Sequence, residues 1–156
     1  MTHKLIVISG TPGTGKTTWA KILAKKLGYT RIDLHDHYKD ISTGYNRSKQ
    51  AYDIDVTKFK KLVNGFKKNI ILDSHIAHLL PKTDLCIVLT CSNLKKLEKR
   101  LKERKYSKKK IRENLDAEIF QICLNEAKEN GHKVVTFDTS KKISQKEFVS
   151  RVKKSL

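Results

Sequence analysis

The sequence predicts an α/β domain in which a five-stranded parallel sheet carries helices on both faces. Three observations lead there. Five short apolar runs alternate with helix-periodic segments along the 156 residues, the order that builds right-handed strand–helix–strand crossovers. Gly10–Thr18 reads G-T-P-G-T-G-K-T-T and fits the phosphate-binding pattern G-x-x-x-x-G-K-[ST], with a strand-like run before it and a helical stripe after it. Asn69–Asp73 is a third apolar run that ends on a carboxylate, placed where such proteins orient a metal.

The elements follow in order. Leu5-Ile6-Val7-Ile8 is a buried-strand run. Ala20, Leu23, Ala24 and Leu27 repeat at helical spacing, and Gly28 supplies the stop. Tyr29–Asp33 is a short second strand. From Leu34 to Asp53 the apolar pattern weakens, which predicts an inserted arm outside the core. His37, Lys39, Tyr45, Arg47 and Tyr52 there either hold a second substrate or belong to a solvated loop. Asp55 can cap a helix with Val56, Phe59, Leu62, Val63 and Phe66 on one side. After the strand ending at Asp73, His75 is either a group that orients water or a hydrogen-bonded structural histidine. Leu85–Thr90 is a fourth strand, and Ser92 can cap the next helix, with Leu94, Leu97 and Leu101 as its seam. Between Lys95 and Arg112 stand eleven Lys or Arg against two Glu. That region either closes over nucleotide phosphates or faces RNA. Ser107 begins a helix in which Ile111, Leu115, Ile119, Ile122 and Cys123 share one side, running to about Asn130 before Gly131. Lys133–Phe137 is the fifth strand, and Ser144 with Glu147 forms a capping box before Phe148, Val149 and Val152.

The residue types of the glycine loop have a chemical reason. Glycines let backbone N–H groups approach phosphate oxygens, and the helix that follows directs its free donors at the same anion. Lys16 is placed to reach the β- and γ-phosphates of ATP, Thr17 to ligate Mg²⁺, and Thr18 to touch the α-phosphate. Asp73 is the second candidate metal residue.

Bulk properties narrow the classes. No stretch approaches the ~20 apolar residues of a membrane span, and the N-terminal apolar run is too short for a signal peptide and leads straight into the phosphate loop, so a soluble, cytoplasmic chain is expected. Cys86, Cys91 and Cys123 fit no zinc spacing and read as reduced thiols. His35/His37 and His75/His78 are close pairs without an obvious third ligand. The formal net charge of +18 points to a polyanionic partner such as RNA or a ribonucleoprotein, or to a solvated lysine-rich surface.

Small size, the polar arm and the basic lid suggest a nucleoside-monophosphate-kinase-like member of the three-layer P-loop NTPase fold: one domain over 1–156, with an arm of about 31–54 and a lid of about 103–113. The loop at Gly10–Thr18, D-S-H at Asp73–His75, Pro81, and R-K-Y-S-K-K-K-I-R-E-N-L-D-A-E-I-F-Q from Arg104 to Gln121 together resemble the adenylate kinase isoenzyme 6 family. The resemblance implies conversion of ATP and AMP to two ADP with Mg²⁺, accompanying ATP hydrolysis, and a role in small ribosomal subunit maturation through a ribosomal protein of the subunit platform. By position it implies an ATP site at Gly13, Gly15, Lys16, Thr17 and Thr18, a lid arginine at Arg104, a late ATP-site loop near Lys141, and a catalytic pair at Asp73 and His75. Lys39 stands roughly where the family is expected to carry an arginine. Two alternatives remain: an assembly ATPase with incidental kinase activity, and a kinase for another small acceptor.

Overall fold

The computed structural model describes residues 3–48 and 51–156. Strand β1 (Leu5–Ser9) leads through the glycine loop into α1 (Lys16–Leu27), which ends at Gly28 in the left-handed conformation. Strand β2 (Thr30–Asp33) runs into a 3₁₀ turn (Leu34–His37), the short α2 (Tyr38–Ile41) and an antiparallel hairpin of β3 (Ser42–Asn46) and β4 (Ala51–Ile54). Helix α3 (Val56–Asn64) starts at Asp55, whose carboxylate accepts from the N–H groups of Thr57 and Lys58. Strand β5 (Ile70–Asp73), strand β6 (Leu85–Thr90), helix α4 (Leu94–Glu103), helix α5 (Lys108–Ile119), helix α6 (Ile122–Glu129), strand β7 (Val134–Asp138) and helix α7 (Gln145–Ser155) complete the chain.

The main sheet has the order β2-β5-β1-β6-β7, and all its pairings are parallel. The apolar runs are continuous because both sheet faces are covered, and alternate residues serve opposite layers. Ile6 and Ile8 of β1 and Leu85, Ile87 and Leu89 of β6 pack with α1 and α7; Val7, Cys86 and Val88 pack the other way, with Phe59 of α3 and Ala127 of α6. A smaller cluster of Cys91, Leu97, Leu101 and Ile111 joins α4 to α5. No helix among the described residues is long and apolar enough to cross a membrane.

Four expectations change. The 34–53 segment is not wholly outside the core: Leu34, Tyr38 and Ile41 are buried against Phe59, because three widely spaced apolar residues suffice when the turn and α2 bring them to one face. Asn93, not Ser92, caps α4 by accepting from the Lys96 N–H at 3.1 Å; Ser92 is instead drawn to Asp138. The helix expected to run from Ser107 to about Asn130 breaks after Ile119, where Gln121 takes a φ of 50°. The break turns Ile119, Phe120 and Ile122 outward, 52%, 67% and 42% exposed, so the single apolar side read across 111–123 does not exist.

Candidate active site

The glycine loop lies at the carboxyl end of β1, between β5 and β6, where open α/β sheets place their ligands. Gly10 has a φ of 148°, and a Cβ there would stand 2.5 Å from the Leu89 carbonyl oxygen. Gly13, at φ 92°, would press a Cβ to 3.0 Å from Leu97 Cδ1. The loop is stitched by Thr14, whose N–H and hydroxyl both donate to the Thr11 carbonyl, at 3.2 and 2.8 Å. It is clamped from outside by Arg100, which donates to the Gly13 carbonyl at 3.0 Å, and by Thr139, which donates to the Thr14 carbonyl at 2.7 Å. No side chain caps the start of α1, so its first N–H groups face the loop's hollow with donors to offer an anion.

Lys16 Nζ donates to the carbonyls of Gly10 and Thr11 at 2.8 and 3.1 Å. Burial pulls its pKa down to about 8, assisted by Arg104 and opposed by Cys123, Asp73 and Glu118. Thr17 Oγ1 donates to Asp73 Oδ2 at 3.4 Å, and Asp73 is only 4% exposed. Arg31 grips the same carboxylate with a two-pronged contact, Nε to Oδ1 at 2.8 Å and an NH2 nitrogen to Oδ2 at 3.1 Å. Behind Asp73, the Tyr38 hydroxyl meets Ser74 Oγ at 2.7 Å and His75 Nδ1 at 3.3 Å. Burial, then the charges of Lys16 and Lys110, push His75 down to about 3, so its imidazole is neutral across the physiological range. Burial raises the Tyr38 phenol to about 12.

Two hollows meet over the loop. The smaller, about 450 Å³, is walled by Gly13, Gly15, Thr18, Trp19, Arg100, Arg104 and Thr139. The larger, about 820 Å³, runs from Lys16, Thr17 and Asp73 to His35, Tyr38, Tyr45 and Tyr52, with Arg104, Tyr106 and Lys110 along its third side. The structure therefore brings Gly13, Gly15, Lys16, Thr17, Thr18, Asp73, His75 and Arg104 to one place. Arg104 reaches both hollows and is steadied by the Tyr106 hydroxyl at 3.4 Å. Lys141 is exposed on the loop after β7 and lines neither hollow. Of the arm residues, Tyr45 and Tyr52 line the larger hollow, whereas His37, Lys39 and Arg47 do not. Among the described residues, no three His, Cys, Asp or Glu side chains gather as a metal-ligand set. Burial raises Cys86 to about 12 and Cys123 to about 11, which keeps both as thiols.

Sequence reasoning missed Arg31 as a site residue, along with Tyr38 and Tyr106. Arg31 and Asp33 sit two apart in β2 and share a face, and that alternation was the only available signal. The partner, Asp73, is 42 residues away.

A phosphate loop closed by a buried strand-end carboxylate, on a parallel sheet of order β2-β5-β1-β6-β7, defines the class: this is a P-loop nucleotide-binding fold. Residues 6–121 match the family described as “AAA domain”. The chain is 41% identical over 140 residues to a Thermococcus kodakarensis protein named “Putative adenylate kinase”, spanning 88% of this chain and 77% of that one. It is 40% identical over 134 residues to the Schizosaccharomyces pombe “Adenylate kinase isoenzyme 6 homolog”, spanning 80% and 74%. Among solved structures, the deoxyadenosine kinase of M. mycoides with bound dATP superposes with a TM-score of 0.61 at 18% identity, over 97% of this chain and 98% of that one, which speaks to the fold alone. The chain belongs to the adenylate kinase isoenzyme 6 family, which includes archaeal members.

Proposed function

We propose that this chain is a nucleoside-monophosphate kinase, specifically an adenylate kinase that converts ATP and AMP to two ADP with Mg²⁺ and hydrolyses ATP as a side reaction. One observation carries the reading: a single cleft joins the phosphate loop to the tyrosine-lined arm. Transfer between two nucleotides needs donor phosphate and acceptor held in one space from which water can be excluded. The names of the relatives favour AMP as the acceptor.

In this reading Gly13, Gly15, Thr17 and Thr18 hold the ATP phosphates and the hollow beside Trp19 takes the nucleoside. Lys16 exchanges its two loop carbonyls for phosphate oxygens. Arg104, on a lid of about 103–113, meets the moving phosphoryl group, and Lys141 reaches in from the late loop on binding. The arm of about 31–54 receives AMP against Tyr38, Tyr45 and Tyr52. Thr17 Oγ1 and Asp73 Oδ2, both hard oxygens 3.4 Å apart, suit a small cation that keeps most of its waters. Bound there with the nucleotide, Mg²⁺ would neutralise phosphate charge. His75, uncharged beside Lys16, can accept a hydrogen bond from a water when AMP is absent; that feature supports the ATPase activity. The family resemblance and the +18 charge support a place in small-subunit maturation, with a platform ribosomal protein and rRNA as partners.

The test is ADP production from Mg·ATP with and without AMP, each with and without the platform ribosomal protein. AMP-dependent turnover is expected. Turnover that ignores AMP but rises with the ribosomal protein would replace the kinase reading with an assembly ATPase, and turnover with another acceptor alone would replace it with a different kinase.

A further inference from the structure

We propose that Arg31 is a resident counter-cation of Asp73, one that keeps free divalent metal off this carboxylate and yields to metal only when it arrives with nucleotide phosphates. The inference rests on the reading that Thr17 and Asp73 face the nucleotide's metal.

The geometry is specific. β2 and β5 pair in parallel with Asp33 beside Asp73, and Arg31, two residues before Asp33, projects from the same face. Its guanidinium donates to both oxygens of Asp73 and also lies 3.5 Å from Thr17 Oγ1. It therefore covers the edge between the two oxygens that a hard cation would use. Asp73 is 4% exposed and needs a compensating charge when no nucleotide is bound. Arg31, with its side chain 18% exposed, supplies it through the strong forked contact that guanidinium and carboxylate make.

A guanidinium does not deprotonate in proteins, so pH cannot lift this block. Movement can. The same NH2 nitrogen lies 3.4 Å from Asp33 Oδ2, a second carboxylate that lines the larger hollow. Arg31 thus has two anionic seats, one at Asp73 and one at Asp33. A lone divalent ion would meet an already neutralised carboxylate with Lys16 and Arg31 close by, and it would be repelled. An ion carried by a nucleotide brings phosphate anions that offset both cations, and Arg31 can then settle on Asp33. Metal and nucleotide are therefore expected to bind together and not metal first.

The experiment uses the full chain without nucleotide. Mn²⁺ binding is followed by electron paramagnetic resonance, and thermal unfolding is followed against Mg²⁺. The wild-type chain should bind weakly and show little change in Tm. Arg31→Gln should bind Mn²⁺ about tenfold more tightly, as expected when one nearby unit charge is removed, and its Tm should climb with Mg²⁺. Arg31→Lys, which restores the cation without the fork, should return affinity toward the wild-type value. Adding Asp73→Asn to Arg31→Gln should abolish the gain. Should Arg31→Gln fail to fold, Arg31→Met keeps the stem's packing and makes the same comparison. Affinity in the Gln or Met variant equal to or weaker than wild type overturns the proposal, as does a gain that survives Asp73→Asn. Equal Mn·ATP affinity in wild type and Asp73→Asn would remove the metal reading of Asp73 itself, a failure distinct from an unresponsive Arg31.

Discussion

Replacing Asp138 with Asn probes the joint on which the late loop hangs. Asp138 ends β7 and accepts from the N–H of Ser92 at 3.1 Å, the N–H of Ser140 at 3.0 Å, and the hydroxyls of Ser140 and Ser92 at 2.7 and 2.5 Å. Burial pushes its carboxyl up, but these four donors outweigh burial and hold it at about 2, against an ordinary 3.8. That difference corresponds to about 2.4 kcal/mol of preference for the charged form. Asp138 is half-buried, so solvent screening brings the stabilisation to about 1–2 kcal/mol. The sign follows from a lowered acid: the contribution is complete above about pH 5 and is lost as pH falls toward 2. Urea unfolding of wild type and Asp138→Asn at pH 7, 5 and 3 measures it. The variant should be less stable by about 1–2 kcal/mol at pH 7 and 5, and the gap should shrink by nearly half at pH 3. A gap under about 0.5 kcal/mol at pH 7, the ordinary range for an inconsequential surface change, would refute the reasoning. So would a gap that does not change with acid. Thr139 next in the chain ties this loop to Thr14 and Thr90 at 2.7 and 3.0 Å, so nucleotide affinity should weaken in the same variant.

Three further outcomes are expected. Gly10→Ala sets a Cβ 2.5 Å from the Leu89 carbonyl at a φ of 148°, and should lower the thermal midpoint while abolishing nucleotide binding measured by calorimetry. Phe59→Ala empties a fully buried position on α3, packed against Leu34, Tyr38 and Ile41; denaturant unfolding should show a loss of about 3–5 kcal/mol. Lys16→Ala should cut ADP formation about 10²–10³-fold, the range seen when one oriented donor to developing charge is removed; full turnover would sink the proposed phosphate site.

Much of the frame was legible because it is written locally. Leu5–Ser9, the glycines at 10, 13 and 15, and the stripe through Ala20, Leu23 and Ala24 lie within one continuous stretch, and strand, turn and helix each have their own periodicity. Asp55, Ser107 and Ser144 cap their helices as side-chain chemistry requires. Where two oxygens competed for one role, neighbours in space decided: Ser92 had a hydroxyl fit for capping α4, but Asp138 engaged it from 46 residues away.

The sequence by itself determined the phosphate loop, the parallel sheet and the carboxylate at the end of β5, since each depends on residue type and short-range spacing. Only the tertiary structure decided what that carboxylate touches. Arg31 reaches Asp73 because β2 pairs beside β5 in a register that sets Asp33 against Asp73, and strand order is a property of the assembled sheet. The burial of Leu34, Tyr38 and Ile41 has the same origin. Packing against Phe59 and its neighbours overrode a weak apolar pattern there.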